Sequence, residues 1–167
     1  ILSSFLSDTQ TLLDYPYGCL EQRSSKILPY AIFKELGQHY GRKLSTVRPK
    51  GKSKLSEAEI IQSHLQVLSR MQHHNGGLRY WPNHHSSVHT WASTYAWMVL
   101  SELARADYAL PLVDLKALKN FIRTSLQKTK ILNNQLYWDY SSGQGVMSAQ
   151  SAAFMLYALA RYDQPDL

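Results

Sequence analysis

The chain has 167 residues, of which 44% are hydrophobic and 18% charged, and its formal net charge is +6. That length and apolar share support one domain with a buried core and exclude a disordered polypeptide. No apolar run approaches the roughly 20 residues that cross a bilayer, no secretory leader opens the chain, and the single cysteine excludes an internal disulfide framework or a multi-cysteine metal site.

The first helical pattern runs from Ser3 to Leu13 and is already under way at Ile1. With the abrupt close at Leu167, the chain reads as an internal piece of a longer polypeptide. Pro16 ends or redirects the first helix, and Gly18 permits a backbone conformation that bulkier residues resist. A second helix begins at about Cys19 and runs through Ile27, Tyr30, Ala31, Phe33 and Lys34 to Gly37. Residues 1–37 therefore form a first helical hairpin.

Residues 38–55 follow as a basic linker or loop that carries Arg42, Lys43, Arg48, Lys50, Lys52 and Lys54. No aromatic residues interleave with these charges, unlike the stacking platforms of single-strand nucleic-acid grooves. The stretch reads as a solvated linker, with nucleic-acid or membrane-surface contact as the alternative.

Residues 56–167 read as α-hairpin repeats. Ser56 and Glu59 form a capping-box pattern ahead of Ile61, Leu65, Leu68 and Met71, a one-sided apolar stripe. Leu115, Leu118, Ile122 and Leu126 give a second one-sided helix. Trp91 to Ala106 and Ala149 to Ala160 are apolar on nearly every face, which predicts burial on all sides. Tyr80-Trp81 recurs as Tyr137-Trp138, and Leu103-Ala104-Arg105 recurs as Leu159-Ala160-Arg161, a period of about 57 residues. Outer amphipathic helices around inner apolar ones describe an all-α fold, an α/α toroid of helical-hairpin repeats. A closed ring needs more hairpins than this chain supplies, so a partial ring with exposed apolar surface is expected. The Gly76-Gly77…Tyr80-Trp81 loop reads as a structural part of the repeat.

The segment Tyr15-Pro16-Tyr17-Gly18-Cys19-Leu20-Glu21-Gln22 carries the chemistry. A cysteine at a helix N-terminus faces free backbone N–H groups and the positive end of the dipole, both of which favour the thiolate. Gln22 lies one turn on, on the same face, so its carboxamide can approach the sulfur. Attack of the thiolate on that carbonyl with loss of ammonia makes an internal thioester, which a later nucleophile opens. Spacing alone leaves a buried packing cysteine as the alternative.

Tyr17-Gly18-Cys19-Leu20-Glu21-Gln22 resembles the thioester motif of the alpha-2-macroglobulin and complement family, in the form with a central leucine usual in bacterial members. The resemblance extends through the Gly76-Gly77…Tyr80-Trp81 loop, the helix at Trp91 to Ala96 and the segment Ala106 to Pro111, and so covers most of the chain. It implies a thioester-containing α/α-toroid domain of a large protease inhibitor. Such an inhibitor is a single-use covalent trap rather than an enzyme: a cut bait region exposes the thioester, which couples to nucleophiles of the trapped protease. It further implies target proteases and other domains of the same inhibitor as partners, a penicillin-binding protein as a possible one, and no cofactor or nucleic acid. The implied location is the periplasm or cell envelope, with the parent protein anchored to the inner membrane as a lipoprotein and the fragment itself soluble.

Carried onto this sequence, Cys19 is the thiol donor and Gln22 the acyl donor. Gly18 lets the loop fold tightly. Glu21 supports the turn or serves as an N-terminal helix acid, and Tyr15 and Tyr17 shield the bond or simply pack. In some complement proteins a downstream histidine first accepts the acyl group; His84 and His85 are the candidates here, although the family's motif around that histidine does not match. His85 and His89 also stand at a spacing that suits zinc, with no third ligand pattern. The competing readings are a Cys–His amidase or peptidase, another α/α-toroid enzyme of the prenyltransferase or terpene-cyclase kind, and a binding module.

Overall fold

The computed structural model describes residues 2–40, 48–51, 54–83, 85–132, 135–140 and 143–162. Among the described residues six helices carry the fold: α1 (Leu2–Asp14), α2 (Leu20–Tyr40), α3 (Glu57–Met71), α4 (Thr90–Arg105), α5 (Leu115–Gln127) and α6 (Ala149–Tyr162). Each of the expected helices is present, shifted by up to three residues at its ends. The inner row is α2, α4 and α6, with α4 packed against both of its neighbours; α3 packs on α2, and α5 bridges α4 and α6. This is the helical-hairpin arrangement that the alternation of one-sided and apolar helices predicts.

Local chemistry explains where the outer helices begin. Ser56 accepts from the Glu59 N–H while Glu59 accepts from the Ser56 N–H at 2.7 Å, the reciprocal cap expected of that pair. Asp114 caps α5 by accepting from the Ala117 N–H at 2.9 Å. The buried stripe of α3 is Ile60, Ile61, Leu65, Leu68 and Met71. On α5 the buried face is Leu118, Phe121 and Ile122, while Leu115 and Leu126 stand at its margin. Helix α4 supplies Ala92, Ala96, Val99, Leu100 and Leu103 to the centre of the core.

Two features depart from the sequence reading. Helix α6 is buried on one side only: Met155, Ala158 and Tyr162 enter the core, whereas Leu156 and Tyr157 remain 60% and 55% exposed. The exposed apolar surface expected of a partial ring lies here. The connection from α5 to α6 also contains three short strands, β1 (Thr129–Leu132), β2 (Gln135–Tyr140) and β3 (Gly143–Met147), paired antiparallel in that order. Thr129 faces Trp138, and Leu136 faces Met147. The aromatic run in Gln135–Tyr140 suits a pleated ribbon. The connection from α3 to α4 holds only isolated bridges, Gln72 to Leu78 and Arg79 to Val88, and its Tyr80-Trp81 pair follows them in a bend.

The Gly76-Gly77 loop is a strut. Gln72 donates to the carbonyls of Gly76 and Asp114 and accepts from the Asp114 N–H at 3.0 Å, which ties the loop to the start of α5. Gly76 has φ +91°, and a Cβ there would meet the Ala117 carbonyl oxygen at 2.2 Å. Within the basic segment, Arg42, Lys43 and Lys52 lie outside the described residues. Its described part is clipped to α1: Gln10 donates to the Arg48 carbonyl at 2.9 Å, and the Lys50 N–H donates to Asp14 at 2.6 Å.

Candidate functional site

Cys19 is the residue before the first turn of α2 and is buried, 3% exposed, with a free thiol. Its carbonyl accepts from the Arg23 N–H at 3.0 Å, so the helix starts on it. The Gln22 side chain folds back, and its Oε1 accepts from the Cys19 N–H at 3.2 Å. As packing chemistry this is half of a capping box: a glutamine at the third helical position satisfies the donor of the cap residue. As reaction chemistry it brings the carboxamide onto the residue that carries the thiol. A carbonyl carbon lies only about 1.2 Å from its oxygen, so the acyl carbon stands beside Cys19. The same N–H is aimed at the oxygen where negative charge would gather if sulfur attacked that carbon.

The loop before Cys19 is held from the helix it precedes. Lys26, itself buried, donates through Nζ to the carbonyl oxygens of Tyr15 and Tyr17. Arg23 donates through Nε to the Gly18 carbonyl at 2.7 Å. A Cβ on Gly18 would stand 2.5 Å from the Arg23 guanidinium, the far end of a flexible side chain. The rings of Tyr15 and Tyr17 face one another at 5.3 Å and remain 43% and 61% exposed. Glu21 lies in the first turn of α2, and its charge reaches Tyr80 and His89.

The Tyr80-Trp81 loop completes the site. The Leu20 N–H donates to the Tyr80 carbonyl at 2.8 Å. Interaction with the Cys19 side chain raises the pKa of Tyr80 above its ordinary value. The Tyr80 ring packs against Trp81 at 5.5 Å and His89 at 5.2 Å. Beside it runs an open groove of about 440 Å³, lined by Trp81, Asn83, His85, Ser86 and His89. His85 is exposed in this groove, and His84 lies outside the described residues. No three potential metal ligands gather among the described residues.

No family model matches the chain. Two curated relatives do. An alpha-2-macroglobulin from Rickettsia conorii is 34% identical over 110 residues, 65% of this chain and 5% of that protein. An alpha-2-macroglobulin from Ralstonia nicotianae is 24% identical over 160 residues, 95% of this chain and 10% of that protein. These similarities support the bacterial alpha-2-macroglobulin family. The chain spans a small part of each relative's length. The crystal structure of native alpha-2-macroglobulin from Escherichia coli, spanning domain MG7 to the C-terminus, shares the fold: the TM-score is 0.61 at 20% identity, over 96% of this chain and 23% of that one.

Four residues at the site escape the motif. Arg23 and Lys26 follow Gln22 on α2, and only helical spacing from Cys19 could have flagged them. Tyr80 and His89 reach the site through the fold. His89 caps α4, its Nδ1 accepting from the Ala92 N–H at 3.2 Å. Its desolvation lowers its pKa, with the Glu21 charge opposing.

Proposed function

We propose that this chain is the thioester-bearing part of a bacterial alpha-2-macroglobulin that inhibits proteases by trapping and covalently coupling to them. One observation carries the reading: the Gln22 carboxamide is folded onto the Cys19 N–H at 3.2 Å, at a buried cysteine. In the first step the Cys19 thiolate attacks Gln22 Cδ, the C–N bond breaks and ammonia leaves, giving the thioester. In the second a protease amine takes the acyl group, the C–S bond breaks, and the sulfur recovers a proton. Each molecule reacts once, so this is a trap rather than a turnover enzyme. On this reading the partners are target proteases and the other domains of the parent protein, and the setting is the periplasm or cell envelope.

The test is trapping by the full-length parent protein. Incubation with a general protease should yield a high-mass protease adduct that survives boiling in detergent and is lost in Cys19→Ala. Adduct formation that persists in Cys19→Ala would contradict the proposal.

A further inference from the structure

We propose that Lys26 is an internal acceptor for the Gln22 acyl group, through which the domain retires its own thioester as a Lys26–Gln22 isopeptide bond. This rests on the thioester reading and gives its second step another outcome. Lys26 Nζ attacks Gln22 Cδ, a C–N bond forms, and the C–S bond breaks with its electron pair going to sulfur. The proton lost by the nitrogen ends on the Cys19 thiol. Nothing enters or leaves, so the mass stays that of the thioester form.

Lys26 stands four residues after Gln22 on α2, so the two side chains share one face of the helix. Its Nζ donates to the carbonyl oxygens of Tyr15 and, at 3.5 Å, Tyr17. Both residues precede Cys19, so the lysine side chain runs back towards the start of the helix. Such a side chain reaches about 6 Å, roughly one helical turn, and Gln22 lies one turn back. The Gln22 carboxamide folds the same way, onto the Cys19 N–H at 3.2 Å. A buried primary amine and the acyl carbon are thus brought to the same end of α2. The loop carbonyls decide whether they meet. While Tyr15 and Tyr17 hold Nζ, the nitrogen is turned to the loop and away from the acyl carbon. Both tyrosines are exposed, and a short surface loop opens ahead of a helical core. Opening frees the amine for an attack whose two partners are already in place. A domain whose loop is disturbed without a target at hand then closes on itself instead of coupling to a bystander.

The experiment compares this chain with Lys26→Arg, which still donates to the loop but stays protonated and accepts no acyl group. Both are kept amine-free at about pH 9, where lysine amines lose their protons more often than at neutral pH. Intact mass, free thiol and methylamine uptake are followed together. In the unsubstituted chain the thiol should appear and methylamine uptake should vanish while the mass stays about 17 Da below the sequence value. Trypsin should then release residues 1–23 and 24–34 as one cross-linked species. Lys26→Arg should lose its thioester at least about tenfold more slowly. It should do so by hydrolysis alone, a gain of about 18 Da for one water. Thiol release in the unsubstituted chain with that same gain and no cross-linked species would overturn the acceptor role, whatever the variant does. Equal rates in the two proteins would overturn it too. A full sequence mass from the start, with no methylamine uptake, would instead overturn the thioester reading and the acceptor role with it.

Discussion

The Tyr80 carbonyl accepts a hydrogen bond from the Leu20 N–H at 2.8 Å, which straps the loop of the second hairpin across the start of α2. One of the free N–H groups of that helix end is thereby satisfied by tertiary structure. The reactive segment depends in consequence on glycines far from it in sequence, because Gly76 and Gly77 set the path of the strap. Gly77 lies under Val88 and Phe121, where a Cβ would approach to 2.6 and 2.8 Å.

Gly76→Ala should therefore lower stability by about 2–3 kcal/mol, the sum of an unfavourable positive φ and a backbone clash. Urea unfolding followed by far-UV circular dichroism measures it. The same variant should expose Cys19 to thiol reagents faster than the parent chain. An unchanged midpoint would mean that the loop adapts and the strap is not rigid.

Lys26 joins the Tyr15 and Tyr17 carbonyls to α2 from a buried position. Lys26→Met keeps the length and apolar stem of the side chain but removes the donor. A loss of about 1–3 kcal/mol in urea unfolding is expected, the cost of leaving buried acceptors without a partner. Lys26→Arg, which still donates, should recover part of it.

His89 links stability to pH. Its Nδ1 accepts a hydrogen bond in the cap of α4, so this nitrogen must be unprotonated in the folded chain. Desolvation lowers its folded pKa below the ordinary histidine value of 6.5, with the Glu21 charge opposing. A base with a depressed folded pKa adds stability above the unfolded value and loses it as pH falls through the folded one. His89→Asn keeps a cap acceptor that does not titrate. The melting temperature of the parent chain should therefore drop relative to His89→Asn between pH 7.5 and pH 5.5, by about 2–4 °C for each kcal/mol of linkage. Parallel curves would show that the ring nitrogen does not hold the cap.

Helix positions were legible because each of them is written locally. The Ser56–Glu59 box and the stripe from Ile61 to Met71 need only neighbours three and four residues apart. The small sheet was not legible: Tyr137-Trp138 looked like a loop repeat, and pairing with β1 and β3 depends on partners elsewhere in the chain. One-sided burial of α6 escaped for a related reason, since composition shows that a helix is apolar but not how many neighbours it meets. At the site, the Cys19–Gln22 relation follows from one helical turn. The partners Tyr80 and His89 belong to a loop whose approach is set by the Leu20 hydrogen bond and the Gly76 turn, and no local pattern encodes that distance.

The central claim is that Cys19 and Gln22 form a bond, and intact mass tests it most directly. Under mild amine-free conditions the chain should weigh about 17 Da less than its sequence, for the lost ammonia. Methylamine should then add its own mass, about 31 Da, and free one thiol, while Gln22→Ala should show the full sequence mass and a titratable Cys19 from the start. A full sequence mass in the unsubstituted chain, with the Cys19 thiol reactive and no methylamine uptake, would contradict the account.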